Sequence, residues 1–360
     1  MKSFSGKQIH KAGNDLQSFD TLSKEEFNKV MDVLSFWRFC HEEPLNSALA
    51  SLRATVFKRD KNAFFAKRLK RYVSIYKKLN RFPQMSLRNM QDIGGCRAVI
   101  ESDKKLKQSV RDLKKLPYFK TEAGNYRTKD YIKNPKKDGY RSYHLVGRFP
   151  TSNGEYRNIE LQLRTRIQHY WATALEIVDL FTGQALKSNQ GSPDWSDFFI
   201  QISHQFSLMD SIHLFEHSTP REKRVKYITA LRKSKSSHKS HIATQVLAKK
   251  LKVERKLNAF ANSVEIIEKR LNDSPNLGYA LLKVDTGKKL VKSVFFDKDS
   301  SGEAEQRYIE AEKEAALTTE LVVALVSSNA IGGIKEAYPN YFADSTEFLS
   351  HLNLITSVNI

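Results

Sequence analysis

Basic and hydroxyl side chains recur every three or four residues between positions 67 and 81. If this segment is helical, the spacing places them on one continuous stripe. Arg binds phosphate in a bidentate manner and Lys binds it as a point charge, so such a stripe suits a triphosphate. A solvated helix face would have the same pattern, and the stripe alone favours that interpretation. Its members are Lys67, Lys70, Arg71, Ser74, Lys77, Lys78 and Arg81.

Two acidic residues stand where they could serve phosphate transfer. Asp92 precedes two glycines and a short apolar strand predicted at residues 96–100. A carboxylate there could hold Mg²⁺ together with substrate phosphates, and an ordinary turn residue is an equally good interpretation. Glu160 lies in a second predicted strand and could act as a general base toward a hydroxyl group. Considered alone, Glu160 is better interpreted as a solvated strand residue.

A segment rich in lysine and aromatic residues runs from Lys129 to His144 and leads into a predicted strand. Lys136 and Tyr140 lie within it. Cations interleaved with aromatic rings suit phosphates that neighbour a stacked base. Considered alone, the segment is better interpreted as an ordinary basic surface loop.

The apolar pattern predicts the elements that would position these groups. Residues 20–82 have helical spacing, and helices are also predicted over 103–116 and from 166 to about 181. Strands are predicted over 140–149 and 155–164, as a hairpin closed by an Asn-Gly turn. In the second strand apolar residues alternate with polar ones, so each set should occupy its own face of the sheet. The apolar set is Ile159, Leu161 and Leu163, and the polar set is Glu160, Gln162 and Arg164.

The C-terminal part has a different character. Residues 195–232 and about 242–271 are predicted to be helical, with a polar basic connector over 233–241. From residue 273 the pattern predicts a small β-β-α-β-α module. We therefore predict two domains, 1–272 and 273–360.

The formal net charge of +20 is unevenly placed. Residues 51–150 contain 27 Lys+Arg and 8 Asp+Glu, a net of +19, whereas residues 261–360 contain 10 and 15, a net of −5. This asymmetry fits a polyanion site with an acidic module able to dock against it, and a solvated basic surface is the alternative.

Composition excludes several classes of protein. With 40% hydrophobic and 28% charged residues, the chain is neither disordered nor collagen-like. Its longest apolar run, 321–326, is too short to span a membrane, and no signal peptide is visible. The two cysteines lack metal-ligand spacing. We expect a cytoplasmic protein without a membrane partner.

Taken in order, the motifs between about residues 60 and 180 resemble the RelA/SpoT synthetase domain, whose members are ATP-dependent pyrophosphokinases that make (p)ppGpp. The Trp171-Ala172 pair and Glu176 resemble the small single-domain synthetases and their toxic relatives. The residues that carry the resemblance are Arg68, Lys70, Ser74, Lys78, Asp92, Arg97, Lys129, Asp130, Tyr131, Pro135, Lys136, Gly139, Tyr140, Ser142, His144, Glu160, Gln162, Arg164 and Thr165.

The resemblance implies an α+β fold, with a mixed-sheet, nucleotidyltransferase-like domain, flanking helices and, here, the small C-terminal α+β module. It also implies roles. ATP would be bound by Arg68, Lys70, Ser74, Lys78 and Arg97. Asp92 and Glu160 would be catalytic and would bind Mg²⁺. The acceptor would be bound by Lys129, Lys136, Tyr140, His144, Gln162 and Arg164. The implied reaction moves the β,γ-pyrophosphate of ATP to a ribose 3′-hydroxyl.

The C-terminal module contains Tyr338 and Tyr341, a Tyr-x-x-Tyr motif that resembles the CapRel group of fused toxin–antitoxins. In that group the motif covers the adenine site of ATP until a phage capsid protein releases it, and the toxin modifies the 3′ end of tRNA. None of the ten His residues is followed by Asp, so the His-Asp hydrolase motif of long family members is missing. The leading interpretation is therefore an autoinhibited anti-phage toxin acting on tRNA. The alternatives are an alarmone synthetase using GDP or GTP and a catalytically idle RNA-binding protein.

Overall fold

The computed structural model describes residues 3–18, 22–182, 192–258, 276–285, 290–316, 321–327 and 346–359. Within them, five strands form a mixed sheet in the order β1-β2-β5-β4-β3, in which only β2 and β5 are parallel. The α+β fold class is confirmed. The strands are β1 (Phe64–Leu69), β2 (Gly94–Ile100), β3 (Arg127–Asp130), β4 (Tyr143–Pro150) and β5 (Tyr156–Thr165).

Helices flank this sheet on both sides. The helices of the N-terminal half are α1 (Gly6–Gln17), α2 (Lys24–Phe39), α3 (Glu42–Val56), α4 (Tyr72–Arg81) and α5 (Asp103–Leu113). Those that follow β5 are α6 (Arg166–Thr182), α7 (Pro193–Ser211), α8 (Pro220–Leu231) and α9 (Lys235–Leu251).

One face of the sheet is apolar and packs against α3 and α5. Leu161 of β5 is fully buried there, in a cluster with Leu52 of α3 and Leu106 of α5. Ile159 and Leu163 lie on the same face and are also fully buried. The alternation predicted for β5 is therefore confirmed, and Glu160, Gln162 and Arg164 occupy the opposite face.

The prediction of continuous helical structure up to residue 82 is wrong at β1. Phe64–Leu69 pairs antiparallel with β2 as the edge strand of the sheet, and the helix α4 begins only at Tyr72. Lys67 and Arg68 therefore lie on a strand, and the basic residues of 67–81 do not form one helical stripe. The aromatic pair at the start of β1, Phe64 and Phe65, favours a strand.

The helices that follow α6 differ from the prediction in three places. The helix predicted over 195–232 is divided into α7 and α8, with a short 3₁₀ turn over Phe215–His217 between them. The basic connector predicted over 233–241 is helical from Lys235, because Ser234 caps α9 by accepting a hydrogen bond from the backbone N–H of Ser237. α9 ends at Leu251, where Lys252 has a left-handed backbone conformation, and residues 253–258 are helical again. The rest of the helix predicted to about residue 271 lies outside the described residues.

The described part of the C-terminal module has the predicted order of elements. It consists of β6 (Leu277–Asp285), β7 (Leu290–Asp297), α10 (Ser301–Ala316) and β8 (Leu321–Ser327), in an antiparallel sheet ordered β7-β6-β8. α10 contacts α4, and Lys313 Nζ of α10 lies 3.5 Å from Asp32 Oδ1 of α2.

The last helix, α11 (Thr346–Ser357), packs against α6, α7 and α9. Phe348 and Leu352 are buried in the same cluster as Trp171 of α6 and Phe198 of α7. Gln245 Nε2 of α9 also donates a hydrogen bond to the carbonyl of Val358, at 2.9 Å. The C-terminal helix thus completes the core of the helical layer behind the sheet.

The boundary predicted at residues 272 and 273 lies outside the described residues. The search for membrane spans in the described helices found none with the length and apolar character required.

Candidate active site

The strand register gathers the predicted polar residues on one face of the sheet. Arg97 of β2 stands opposite Gln162 of β5, which in turn stands opposite His144 of β4. His144 stands opposite Lys129 of the edge strand β3. Arg68 of β1 is in register with Gly95, whose partner is Glu160. Because directly paired residues point to the same side of a sheet, these groups form one polar surface.

Asp92 lies just before β2 and is held by two lysines. Lys70 Nζ is 2.8 Å from Asp92 Oδ2, and Lys78 Nζ of α4 is 2.8 Å from Asp92 Oδ1. Burial opposes ionisation of Asp92, but the two ammonium groups outweigh it and lower the pKa of the carboxyl. Asp92 is therefore ionised at neutral pH, and it fixes both lysines beside the sheet.

Glu160 is joined to His144 and Tyr140 by hydrogen bonds. His144 Nδ1 lies 3.0 Å from Glu160 Oε1, and His144 Nε2 lies 2.9 Å from the hydroxyl of Tyr140. Gln162 Nε2 donates to Glu160 Oε2 at 2.7 Å. Burial would raise the pKa of Glu160, but the contacts with His144 and Gln162, and the charge of Lys70, lower it to about 2.

The imidazole of His144 is charged in this arrangement. Burial would lower its pKa, but Tyr140 and Glu160 outweigh burial and raise it to about 9. As an imidazolium, His144 donates through both ring nitrogens, one to Glu160 and one to Tyr140. Glu160 and Asp92 are thus two ionised carboxylates, and Lys70 acts electrostatically on both.

Arg164 brings an unusual buried charge to this face. Its residue is 2% exposed, and its Nη2 donates to Gln162 Oε1 at 3.3 Å. Its Nε and Nη1 have no hydrogen-bond partner among the described residues. A buried guanidinium with unused donors is costly unless an anion satisfies them. Burial, with Arg164 and Arg68 nearby, also lowers the pKa of Arg97 to about 9.

The segment before β4 holds Tyr140 against helix α7. Gly139 has a φ of +91°, and its carbonyl accepts a hydrogen bond from Ser203 Oγ at 2.5 Å. A Cβ at Gly139 would lie 2.9 Å from Ser203 Cβ, closer than such atoms approach. Lys136 Nζ lies 4.7 Å from the centre of the Tyr140 ring, within range of a cation–π contact. Glycine is therefore required here for the approach of the loop to α7.

The remaining predicted residues are less closely joined. Ser74 and Lys78 lie four residues apart on α4, hence on one face of that helix. Lys129 is exposed on the edge strand. Tyr338 and Tyr341 lie outside the described residues, so their role stays a prediction.

The sequence leaves open whether Arg127, which lies on β3, contacts nucleic acid. Its Nη1 donates to Asn158 Oδ1 of β5 at 2.9 Å, on the polar side of the sheet. A strand of four residues offers too little alternation for the sequence to place Arg127 on this face.

The chain has similarity to known proteins in the region of this site. The family model described as "Region found in RelA / SpoT proteins" matches residues 67–177. The GTP pyrophosphokinase YjbM of Bacillus subtilis is 33% identical over 115 residues, which cover 31% of this chain and 53% of that protein. A guanosine-3′,5′-bis(diphosphate) 3′-pyrophosphohydrolase of Borreliella burgdorferi is 26% identical over 212 residues, covering 55% of this chain and 31% of that protein.

These matches thus span about half or less of the length of the two curated relatives. Among solved structures, the small alarmone synthetase 1 of Bacillus subtilis bound to its product pppGpp is 25% identical. That match covers 52% of this chain and 97% of that one, with a TM-score of 0.41. The resemblance to the CapRel group stays a prediction. Residues 67–177 contain every described side chain assigned above to ATP, metal or acceptor, so the match to the RelA/SpoT family model covers the whole described candidate site.

Proposed function

We propose that this protein is an ATP-dependent pyrophosphokinase, and that its acceptor is the 3′-terminal ribose hydroxyl of tRNA. The observation that carries the proposal is the pair of ionised carboxylates, Asp92 and Glu160, near the same ammonium group of Lys70. They lie among buried arginines and a charged histidine. The positive side chains of such a site can bind phosphates, and its two carboxylates can bind a metal cation. Transfer between two phosphate-bearing substrates needs both.

In this proposal the acceptor oxygen attacks the β-phosphorus of ATP. The bond between that phosphorus and the oxygen bridging to the α-phosphate breaks, and AMP leaves. Four cations neutralise the phosphates of ATP. They are Lys70 and Lys78, which hold Asp92, and Arg68 and Arg97, which lie on the sheet. Tyr140 stacks on the acceptor base, and Glu160 orients the hydroxyl and accepts its proton.

Mg²⁺ is the proposed cofactor, held by Asp92 and Glu160. Among the described residues, no group of three or more His, Cys, Asp and Glu is arranged to hold a metal. Mg²⁺ is usually bound by only one or two carboxylates together with substrate phosphates, so this donor set fits it. The bound ion would neutralise charge that develops on the phosphates. The lowered pKa keeps Glu160 ionised at neutral pH, as a ligand of such an ion must be.

The alternative acceptor is GDP or GTP, which would make the protein an alarmone synthetase. The similarity to a protein named a GTP pyrophosphokinase favours this alternative. Asp138 stands directly before Gly139 and Tyr140, at a position where the family often has Asn. This departure from the motif counts against recognition of a guanine nucleotide. The proposal of tRNA rests on the resemblance to the toxic branch and on the net charge of +19 over residues 51–150.

We also propose that the C-terminal module inhibits the enzyme until a phage protein, such as a capsid protein, binds it. The contact of α10 with α4 supports this, since α4 carries Ser74 and Lys78 of the proposed ATP site. The ion pair between Lys313 and Asp32 supports it further. A module in this position could act on ATP binding through α4.

The test of the reaction uses γ-labelled ATP with the full chain and with its Tyr341→Ala variant. Deacylated tRNA, GDP and GTP are offered in parallel. We expect label on the 3′ end of tRNA, with release of AMP. Label on GDP or GTP would instead establish the alarmone synthetase. Hydrolysis of ATP without a labelled acceptor, or no use of ATP by either protein, would contradict both functions.

The loop at Gly139 provides a prediction about the acceptor. In Gly139→Ala, the new methyl group would meet Ser203 Cβ at 2.9 Å and the carbonyl oxygen of Phe199 at 3.2 Å, displacing the loop that bears Tyr140. We expect the KM for the acceptor to rise about tenfold, the effect of a misplaced binding group worth about 1.4 kcal/mol. The KM for ATP should change little. Steady-state kinetics with each substrate varied in turn would measure both.

Gly154→Ala is the matched control for this substitution. Gly154 has a φ of +79°, so it shares the backbone strain, but its Cβ would have no neighbour within 4 Å. Equal changes of acceptor KM in the two variants would show that the contact with α7 does not position the loop.

A further inference from the structure

The helical hairpin formed by α8 and α9 has a second concentration of positive charge, separate from the polar face of the sheet. Residues 220–256 contain 13 Lys+Arg and 2 Asp+Glu, a net of +11. Four of these cations lie in and directly after the turn between the two helices, where residues 232–239 include no acid. We call these four residues the basic turn; they are Arg232, Lys233, Lys235 and Lys239.

The side chains of the basic turn are accessible to a binding partner. All four residues are exposed, and none forms an ion pair within the described part of the chain. Other cations of the hairpin are used internally. Lys223 pairs with Glu216 at 3.3 Å, and Lys250 pairs with Asp194 at 2.7 Å. Like charges held together on a surface repel one another. A polyanion that binds this unpaired group of four relieves the repulsion, so its binding there is electrostatically favourable.

The fold places the basic turn near the loop that carries Tyr140. Gly139 in that loop and Ser237, which lies between Lys235 and Lys239 of the basic turn, contact the same turn of α7. On one side, Ser203 Oγ donates to the carbonyl of Gly139 at 2.5 Å. On the other, Gln205 Nε2 donates to the carbonyl of Ser237 at 3.0 Å. Residues 203 and 205 point to roughly opposite sides of a helix.

The separation between the two segments is therefore about one helix diameter, roughly 10–12 Å. That length corresponds to about three nucleotides along one strand, at roughly 3.4 Å for each phosphate. A polynucleotide whose end is seated at Tyr140 can cover this distance and continue over α7.

We propose that the basic turn binds the phosphodiester backbone of the tRNA whose 3′ end lies at Tyr140. This inference rests on the proposed function, because it assumes that an RNA end is the acceptor. The basic turn would bind RNA without reading its sequence, since Lys and Arg contacts to phosphates position a nucleic acid but do not specify it. It would also favour tRNA over free guanine nucleotides.

The test compares two charge-reversal variants of the full chain. The first replaces the basic turn with Arg232→Glu, Lys233→Glu, Lys235→Glu and Lys239→Glu. The control replaces one arginine and three lysines in and around α5, on the other side of the sheet, with Lys61→Glu, Lys104→Glu, Arg111→Glu and Lys120→Glu. These control residues are also exposed and outside any ion pair in the described residues. Both variants therefore change the net charge equally.

Binding of 5′-labelled deacylated tRNA is measured by fluorescence anisotropy without ATP, over a series of salt concentrations. We expect the basic-turn variant to bind at least about tenfold more weakly than the control variant. The slope of log Kd against log salt concentration should also be smaller by about 3 in the basic-turn variant than in the control variant. Each of the four lost phosphate contacts contributes about 0.7–0.9 to this slope. Equal affinity and equal slope in the two variants would overturn the inference.

Anionic vesicles containing phosphatidylserine are the competing probe, because Ile242 and Val246 are 46% and 60% exposed on α9. If reversal of the basic turn abolishes vesicle binding and leaves tRNA binding at the control level, the surface is for lipid and the inference is wrong. Label transfer separates this result from the proposed function. Label on GDP or GTP refutes the tRNA acceptor, whereas label on tRNA with equal binding by both variants refutes only the basic turn.

Discussion

Replacing either carboxylate of the candidate site should remove pyrophosphate transfer while the fold survives. We expect Glu160→Gln to lower kcat by about 10²–10⁴-fold, the usual contribution of a positioned acid–base group. Gln keeps the shape of the side chain but does not accept a proton, and it would no longer stabilise the imidazolium of His144, 3.0 Å away. The rate of AMP release with each acceptor would measure the loss.

Asp92→Asn should have an effect of similar size for a different reason. The neutral amide no longer balances Lys70 and Lys78, which now meet its two carboxylate oxygens at 2.8 Å each. The two lysines would then be free to shift away from the position in which they meet ATP. Apparent affinity for ATP should therefore fall as well as turnover, whereas Glu160→Gln should mainly lower turnover.

Asp112→Asn is the matched control for this substitution. Asp112 on α5 also accepts hydrogen bonds from two cations, from Arg59 Nε at 2.7 Å and Lys115 Nζ at 3.0 Å. It lies on the helix that covers the apolar face, away from the site, and exposed ion pairs contribute little to stability. Circular dichroism should show all three variants folded. Loss of turnover in Asp112→Asn, or normal turnover in Asp92→Asn, would show that Asp92 has no specific role in catalysis.

The alternation in β5 is the feature that sequence reasoning predicted best. Ile159, Leu161 and Leu163 face a helix-covered core, so burial makes the period of two visible in the sequence. The edge strand β1 escaped prediction because it pairs on one side only and carries Lys67 and Arg68. Without a clean alternation, the helical spacing of α4 extended the predicted helix back across it.

The network around Glu160 was beyond sequence reasoning for a physical reason. The sequence identified His144 and Tyr140 as acceptor residues of a family motif. That His144 joins Glu160 to Tyr140 depends on β4 and β5 pairing in a register that sets His144 opposite Gln162. The Asn-Gly turn predicts that β4 and β5 pair as a hairpin, but their register also depends on the length of the loop, which the two turn residues do not determine.

The place of the last helix was also unpredictable, although its existence was predicted. α11 was assigned to the C-terminal module because it follows β8 in sequence. In the structure its apolar face joins α6, α7 and α9, and His351 Nε2 lies 2.8 Å from Glu216 Oε1. An amphipathic pattern shows that a helix has a buried face, but it does not show which partner covers that face.

This packing decides how autoinhibition should be tested. A chain truncated before residue 273 would be expected from the sequence to be an active toxin, but it would also lose Phe348, Leu352 and Ile355, all essentially fully buried. Truncating one buried Phe or Leu to Ala typically costs about 2–5 kcal/mol. Three such losses approach or exceed the whole stability of a typical domain, about 5–15 kcal/mol. An absence of toxicity after truncation would therefore reflect unfolding.

The point substitution Tyr341→Ala leaves α11 in place and is the sharper test. If the module inhibits the enzyme, induced expression of Tyr341→Ala should stop growth, and turnover in vitro should rise by about 5- to 150-fold, the range of typical coupling between sites. The double variant Tyr341→Ala with Glu160→Gln should restore growth, because toxicity must then come from catalysis. Plating under induction and AMP release by the purified proteins would measure the two effects.

A substitution at the contact between α10 and the N-terminal helices tests release of autoinhibition independently of Tyr341. Lys313→Glu places two negative charges together at Asp32, now 3.5 Å from Lys313 Nζ, and should weaken the contact of the module. Arg307→Glu on the same helix is the control, because Arg307 is 62% exposed and its ion pair is with Glu310 of α10 itself. Increased turnover in Lys313→Glu but not in Arg307→Glu would place the inhibitory contact at α10. Unchanged turnover and growth in both Tyr341→Ala and Lys313→Glu would contradict autoinhibition, since each variant keeps α11 and with it the core of the helical layer.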